Sequence, residues 1–300
     1  MKKNLLAIFL LLCVSVTASG EELFSYVPGN PVILAYANIE NLGNGTLKSR
    51  IVKLNKDISK RAGGQYDFSD MVDSFAAGVF NFDGDFASEN QLILLRGKIV
   101  PESFFGVIER SLGQPLARTT INSRPAVIFP KRALNRNLRE RMELCAVSVA
   151  DNLMFIGSRA KAATLKPIRP DIPGELKAMP EMAFLGVYFR PDPALPYSFL
   201  FAGVKEAFIS AEPYGAGGIK FVGKVPCASN DVAVKLAANL KQLLSQFIII
   251  ALHKDIPLAM ESVSKFTTFA EDGEVTMELV LDDGVAKRVF DYAAANVPVK

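Results

Sequence analysis

Ile219-Lys-Phe-Val-Gly-Lys-Val225, broken at Pro226 and followed by a helical stretch opening near Ser229, decides how this chain reads. The first run is short, apolar and rich in β-branched and aromatic residues, which is strand chemistry. Beyond Ser229 the period changes, and Val232, Leu236, Leu240, Leu243, Leu244 and Phe247 fall on one helical face. From Ile248 to Leu252 that helix is apolar all round, which predicts an end buried on every side. Lys235, Asn239, Lys241 and Gln246 interrupt it, so it does not read as a membrane span. A looser copy stands earlier: Leu92-Ile-Leu-Leu-Arg-Gly-Lys-Ile99, then Pro101 and a helix from Glu102. The echo predicts a duplicated α+β unit.

Working outward, the second copy begins with a strand over Met182–Arg190, a short helix or turn over Tyr197–Gly203 and a strand over Ala207–Glu212. After the long helix, Pro257 starts another, Lys265–Ala270 pairs with Glu274–Leu281 around Glu271-Asp-Gly273, and Asp283 caps a last helix. The first copy opens with a strand over Val32–Ile39. A helix follows with Leu47, Ile51, Leu54, Ile58 and Ala62 on one face. A short helix is expected over Ser69–Ala76, then strands over Gly78–Phe82 and Gln91–Lys98. Pro101 opens a helix carrying Phe104, Phe105, Ile108 and Leu112 inward. Thr119–Ile121 and Ala126–Phe129 flank the turn Asn122-Ser-Arg-Pro125. Leu144–Val149 pairs with Leu153–Ile156 around Ala150-Asp-Asn152, and Ser158 caps a helix reaching Leu165.

Pro167, Pro170, Pro173, Gly174 and Pro180 crowd residues 166–180, a breaker density that marks a linker. The division is therefore residues 21–165, a Pro-rich linker and residues 181–300. The fold class is α+β: two related ferredoxin-like (split βαβ) halves, antiparallel sheets with helices packed mainly on one face.

The first twenty residues read as an export signal. Lys2 and Lys3 are positive, Leu5–Leu12 is an unbroken apolar run, and Val16-Thr17-Ala18 supplies small residues for cleavage after Ala18, or after Gly20. The run is too short to span a bilayer. Leu12 is too large to precede a lipidated Cys13, which favours an ordinary signal over a lipid anchor. Lys and Arg number 34 against 31 Asp and Glu, and the signal removes two of the positive charges. Near neutrality excludes the basic excess of a nucleic-acid binder. Cys145 and Cys227 survive cleavage. Export would permit one disulfide between them, tying the halves together; two separately buried thiols are the alternative.

In its Val27-Pro28 entry to the first strand, its Asp151-Asn152…Gly157-Ser158 hairpin and helix, and its Asp272-Gly273 turn, the chain resembles a group of secreted bacterial proteins. Those proteins carry a signal peptide, two such halves and no assigned activity. The second half departs from the pattern, lacking Gly-Ser after its last strand. The resemblance implies export and duplication, and brings no catalytic residue or cofactor.

Other constellations are sparse. Lys131, Arg132, Arg136, Arg139 and Arg141 face only Glu140 in a polar insert, a cluster able to hold an anion or an anionic surface; a solvated excursion is the alternative. Asp83, Asp85 and Glu89 imitate part of a calcium loop, but Ala87 stands at a ligand position and the glycine and final Glu are missing. His253, the one histidine, removes Ser-His-Asp, Cys-His and multi-histidine metal arrangements, and its place at a helix end suits carbonyl capping. Gly215, Gly217 and Gly218 lie between strands and not on a phosphate loop. The expectation is an exported, non-catalytic binding or assembly module without a cofactor, whose partner is a protein or an anionic surface. The alternatives are a secreted hydrolase using paired carboxylates and an anion-binding module working through residues 131–141.

Overall fold

The computed structural model describes residues 26–27, 31–38, 40–42, 45–61, 71–80, 91–130, 143–167, 183–192 and 202–296. The protein is α+β, and every strand pair described is antiparallel. It divides into two compact units, one of residues up to Glu40 with Asn55–Ile172, the other of Asn41–Leu54 with Pro173–Val297.

In the first unit β1 (Pro31–Asn38), β2 (Ser74–Phe80) and β3 (Gln91–Arg96) are followed by β4 (Ala117–Ile121), β5 (Arg124–Ile128), β6 (Leu144–Ala150) and β7 (Leu153–Ser158). Their order across the sheet is β1-β2-β3-β7-β6-β5-β4. Helix α1 (Thr46–Arg61) lies between β1 and β2, α2 (Pro101–Leu112) between β3 and β4, and α3 (Arg159–Thr164) after β7. Successive residues Leu34, Ala35, Tyr36 and Ala37 of β1, and Phe75, Ala76 and Ala77 of β2, are all buried. Since side chains alternate across a strand, both faces are covered there.

The covered strands bear on one expectation for this stretch. Of the helix expected over Ser69–Ala76 nothing is found among the described residues from Met71 onward, and β2 starts at Ser74. Ala76 and Ala77 favour helix by propensity, yet they pair with Tyr36 and Ala35 on one side and Leu94 and Ile93 on the other. Two flanking strands outweigh a weak local preference.

Helix α2 has Pro at its start and ends at Gly113, whose φ of 66° closes the turn through its N–H to the Arg110 and Glu109 carbonyls. The Glu109 carboxylate accepts from the Leu116 N–H at 2.9 Å and from Arg118 at 2.8 Å. Those two bonds, the backbone one first, hold it below the usual carboxylate range. The Arg118 guanidinium lies 5.3 Å from the centre of the Phe105 ring. One arginine thus joins α2 to β4. Asn122 and Ser123 take φ of 52° and 62° in the β4–β5 turn, and Asn152 takes 61° between β6 and β7. Asparagine tolerates that region better than most residues.

The second unit runs β8 (Leu185–Phe189), β9 (Ala207–Tyr214), β10 (Gly218–Pro226), α4 (Asn230–Ala251), α5 (Ile256–Ser264), β11 (Phe266–Glu271), β12 (Glu274–Leu281) and α6 (Asp283–Asn296). Its order is β11-β12-β10-β9-β8. The strands that α4 and α5 connect, β10 and β11, both run antiparallel to β12, which lies between them. Val225, Phe266, Val275 and Met277 form one core with Ala233, Leu236 and Ala237 of α4. Leu281 forms another with Leu252, Leu258 and Ala259 near α5 and Val285 and Ala286 of α6. All three helices therefore pack on one face of these strands.

The first part of α1, through Leu54, belongs to this second unit. Arg50 pairs with the Asp283 carboxylate at 2.9 Å and donates to the Gly217 carbonyl at 3.0 Å. The expected cap of α6 moves by one residue: the Asp282 carboxylate accepts from the Val285 N–H at 3.0 Å, and Asp283 is left to Arg50. The linker placed at residues 166–180 lies outside the described residues beyond Pro167.

A candidate apolar cleft beneath the long helix

Helix α4 starts on Ser229, whose hydroxyl accepts from the Val232 N–H at 3.4 Å. Its first half is well seated. Ala233 is fully buried, Leu236 and Ala237 are 7% exposed, and Thr268 of β11 donates its hydroxyl to the Ala237 carbonyl at 3.1 Å. The second half is not seated, for Phe247 is 56% and Ile250 66% exposed. This overturns the expectation that the helix end is buried on every side.

Length supplies the reason. The 22 residues of α4 make a rod of about 33 Å. The six residues of β11, the strand it packs against most closely, span only about 20 Å. The helix outruns β11, and Leu252, buried with Leu258 and Ala259, holds the far end.

Beneath the overhang lies an apolar cavity of about 320 Å³. Its wall on the helix side is Leu244, Phe247, Ile248 and Ala251, and its floor is Ile209, Phe221, Gly223, Met277 and Leu279, with Phe266 at one end. Register explains the floor. Phe221 and Gly223 of β10 stand opposite Leu279 and Met277 of β12, and Gly223 stands opposite Ile209 of β9. Residues opposite one another share a face, so these meet under α4. Gly223 matters for space, because a Cβ there would meet the Met277 side-chain methyl at 2.5 Å and Ile209 at 3.5 Å. A larger residue at Gly223 would make the flexible end of Met277 move aside.

Glu278 borders the cleft between Met277 and Leu279, and alternation along β12 turns its side chain to the other face of the sheet. Its carboxylate is bound by Lys220 at 2.9 Å, a bond that raises the Lys220 ammonium above its ordinary value. Nearby, Lys265 binds the Asp282 carboxylate at 2.6 Å. That bond first, and the Val285 N–H second, hold the Asp282 carboxyl below its usual range. Two close carboxylates are not found in the lining. The cleft offers burial of apolar surface, and its size lies at the lower end of the roughly 300–1,000 Å³ typical of ligand pockets.

The residues singled out from sequence fall elsewhere. Lys131, Arg132, Arg136, Arg139 and Arg141 lie outside the described residues, as do Asp83, Asp85 and Glu89. Cys145 and Cys227 are each free and buried, one in β6 and the other just past β10. Burial pushes the Cys145 thiol up to about 12, and burial followed by Glu274 raises Cys227. The Cys227 thiol is spent on the Val225 carbonyl at 3.4 Å. His253 is exposed, with Nδ1 at 3.0 Å from the Ile250 carbonyl, a helix-end contact. Among the described residues no group of three or more His, Cys, Asp or Glu could hold a metal.

Sequence reasoning missed the cleft. The signal was the run Phe247-Ile-Ile-Ile-Ala-Leu252, which carries more apolar side chains than one sheet face can cover. No family model, curated protein or solved structure matches the chain.

Proposed function

We propose that the protein is exported and acts as a non-catalytic binding module that takes an apolar group into the cleft beneath α4. The carrying observation is the cavity itself: about 320 Å³, walled by aliphatic and aromatic side chains, with the Glu278 carboxylate turned to the other face and held there by Lys220. Transfer of an apolar group into such a site is favourable by about 25 cal/mol for each Å² removed from water.

Export rests on the amino-terminal pattern of Lys2-Lys3, the Leu5–Leu12 run and Val16-Thr17-Ala18. The reading further takes the two units as related ferredoxin-like halves of one duplication. In its favour are the like strand orders, β1-β2-β3-β7-β6 and β8-β9-β10-β12-β11, with the β4–β5 hairpin as an addition to the first.

The test is titration of the chain from Glu21 onward with a naphthalene-based fluorescent probe. Saturable, one-site enhancement is expected. Ala251→Trp, at an exposed position on the cleft wall, fills the space without replacing a core residue and is expected to abolish it. Enhancement that is non-saturable, or unchanged by Ala251→Trp, would refute the reading.

A further inference from the structure

The floor of the cleft is bare at one point. Gly223 lies inside β10, and it is not among the glycines that take positive φ, so its backbone does not ask for glycine. A glycine within a strand weakens it and marks a place where another group approaches closely. Here that group is the Met277 arm, whose terminal methyl would meet a Cβ on Gly223 at 2.5 Å. Met277 is only 6% exposed, yet it lines the cleft.

The bare point is a pit. Ile209 and Met277 stand opposite Gly223 on the flanking strands, and Phe221 and Val225 stand two residues to either side on the same face. Neighbouring strands lie about 4.8 Å apart, so the opening among those four is about one side chain wide. The Met277 arm fills it. Methionine is unbranched and turns about three bonds, so it can leave such a pit without moving the backbone. Whatever takes its place must have the same form: thin, apolar and unbranched. Glu278 is turned to the other face and held by Lys220, so a polar group finds no partner at the bottom and stays at the mouth.

We propose that Met277 is the specificity-determining residue of the cleft, a movable floor that swings off Gly223 to admit the methyl end of an unbranched alkyl chain. This rests on the binding reading above and narrows the apolar group to that class.

The experiment is calorimetric titration of the chain from Glu21 onward with straight-chain alcohols, repeated for two variants that move the floor in opposite directions. Gly223→Ala fills the pit and pushes the Met277 arm into the cleft. The length at which affinity stops rising should then fall by about one or two methylenes, each about fourfold in affinity. Met277→Ala removes the arm and should extend that length by about three methylenes. An isomeric alcohol ending in a tert-butyl group should bind the parent chain at least about tenfold more weakly than the straight one. The Met277 methyl resonance, isotope-labelled and assigned by its loss in Met277→Ala, should shift with alcohols long enough to reach the floor and stay in place with shorter ones. Met277→Ala opens a cavity in the core, so circular dichroism checks its fold; Gly223→Ala meets only a flexible side-chain end and carries the test by itself.

An unchanged stopping length in either folded variant, equal affinity for the straight and branched isomers, or a Met277 resonance indifferent to every alcohol overturns the proposal. If affinity still rises with length and Ala251→Trp still removes it, the cleft stands and only the role of Met277 falls. If no alcohol binds, both readings fall.

Discussion

Truncating α4 at two positions, Leu236→Ala and Phe247→Ala, should give very different results although both remove large apolar side chains. Leu236 is 7% exposed and sits in the core with Val275 and Met277. Its loss leaves a cavity and costs about 3 kcal/mol, within the range of roughly 2–5 for buried Leu→Ala changes. Phe247 is 56% exposed, so it realises less than half of the roughly 2–3 kcal/mol of a fully buried phenylalanine, or about 1 kcal/mol. The gap of about 2 kcal/mol is readable by urea unfolding followed through far-ultraviolet circular dichroism. With a urea slope of about 1–3 kcal/mol/M, Leu236→Ala should move the midpoint down by about 1–3 M. Phe247→Ala should move it by no more than about 1 M. Equal shifts, or a larger one for Phe247→Ala, would mean that the second half of α4 is packed and no cleft lies under it.

Other outcomes follow from the same contacts. Cys145, fully buried with its thiol pushed up to about 12, should resist a thiol reagent at pH 8 in the folded chain and react in urea; rapid native labelling would contradict its placement. Asp282 is held below its ordinary 3.8 chiefly by Lys265. Its stabilisation is therefore present above about pH 4 and lost as pH falls through the depressed value. Lys265→Met should make the urea midpoint less steep with pH in that acid window, and an unchanged slope would remove the pair from the account. Ser158→Ala takes away the hydroxyl that accepts from the Lys161 N–H at 3.1 Å and should cost about 1 kcal/mol, read by urea titration.

Much of the local structure was legible. Turns announced themselves through residues that tolerate positive φ: Asn122, Asn152, and Asp272 with Gly273 at 50° and 78°. Ser229 and Ser158 marked helix starts because their hydroxyls accept from N–H groups two residues into the helix proper. What escaped was decided by neighbours distant in sequence. Ala76 and Ala77 became strand because β1 and β3 flank them. Asp283 lost its capping role to Asp282 because Arg50, 233 positions away, needed a carboxylate. Periodicity located the apolar face of α4, but it could not say how far β11 runs beside it. The cleft arises from that mismatch of lengths, and no single residue encodes it.

The most direct test is calorimetric titration of the chain with a homologous series of straight-chain alcohols. Affinity should rise about fourfold for each added methylene, the equivalent of about 0.8 kcal/mol. The rise should stop once the chain outgrows the cavity, and Ala251→Trp should remove it. Affinity indifferent to chain length, or a rise that survives Ala251→Trp, would contradict an apolar binding cleft beneath α4.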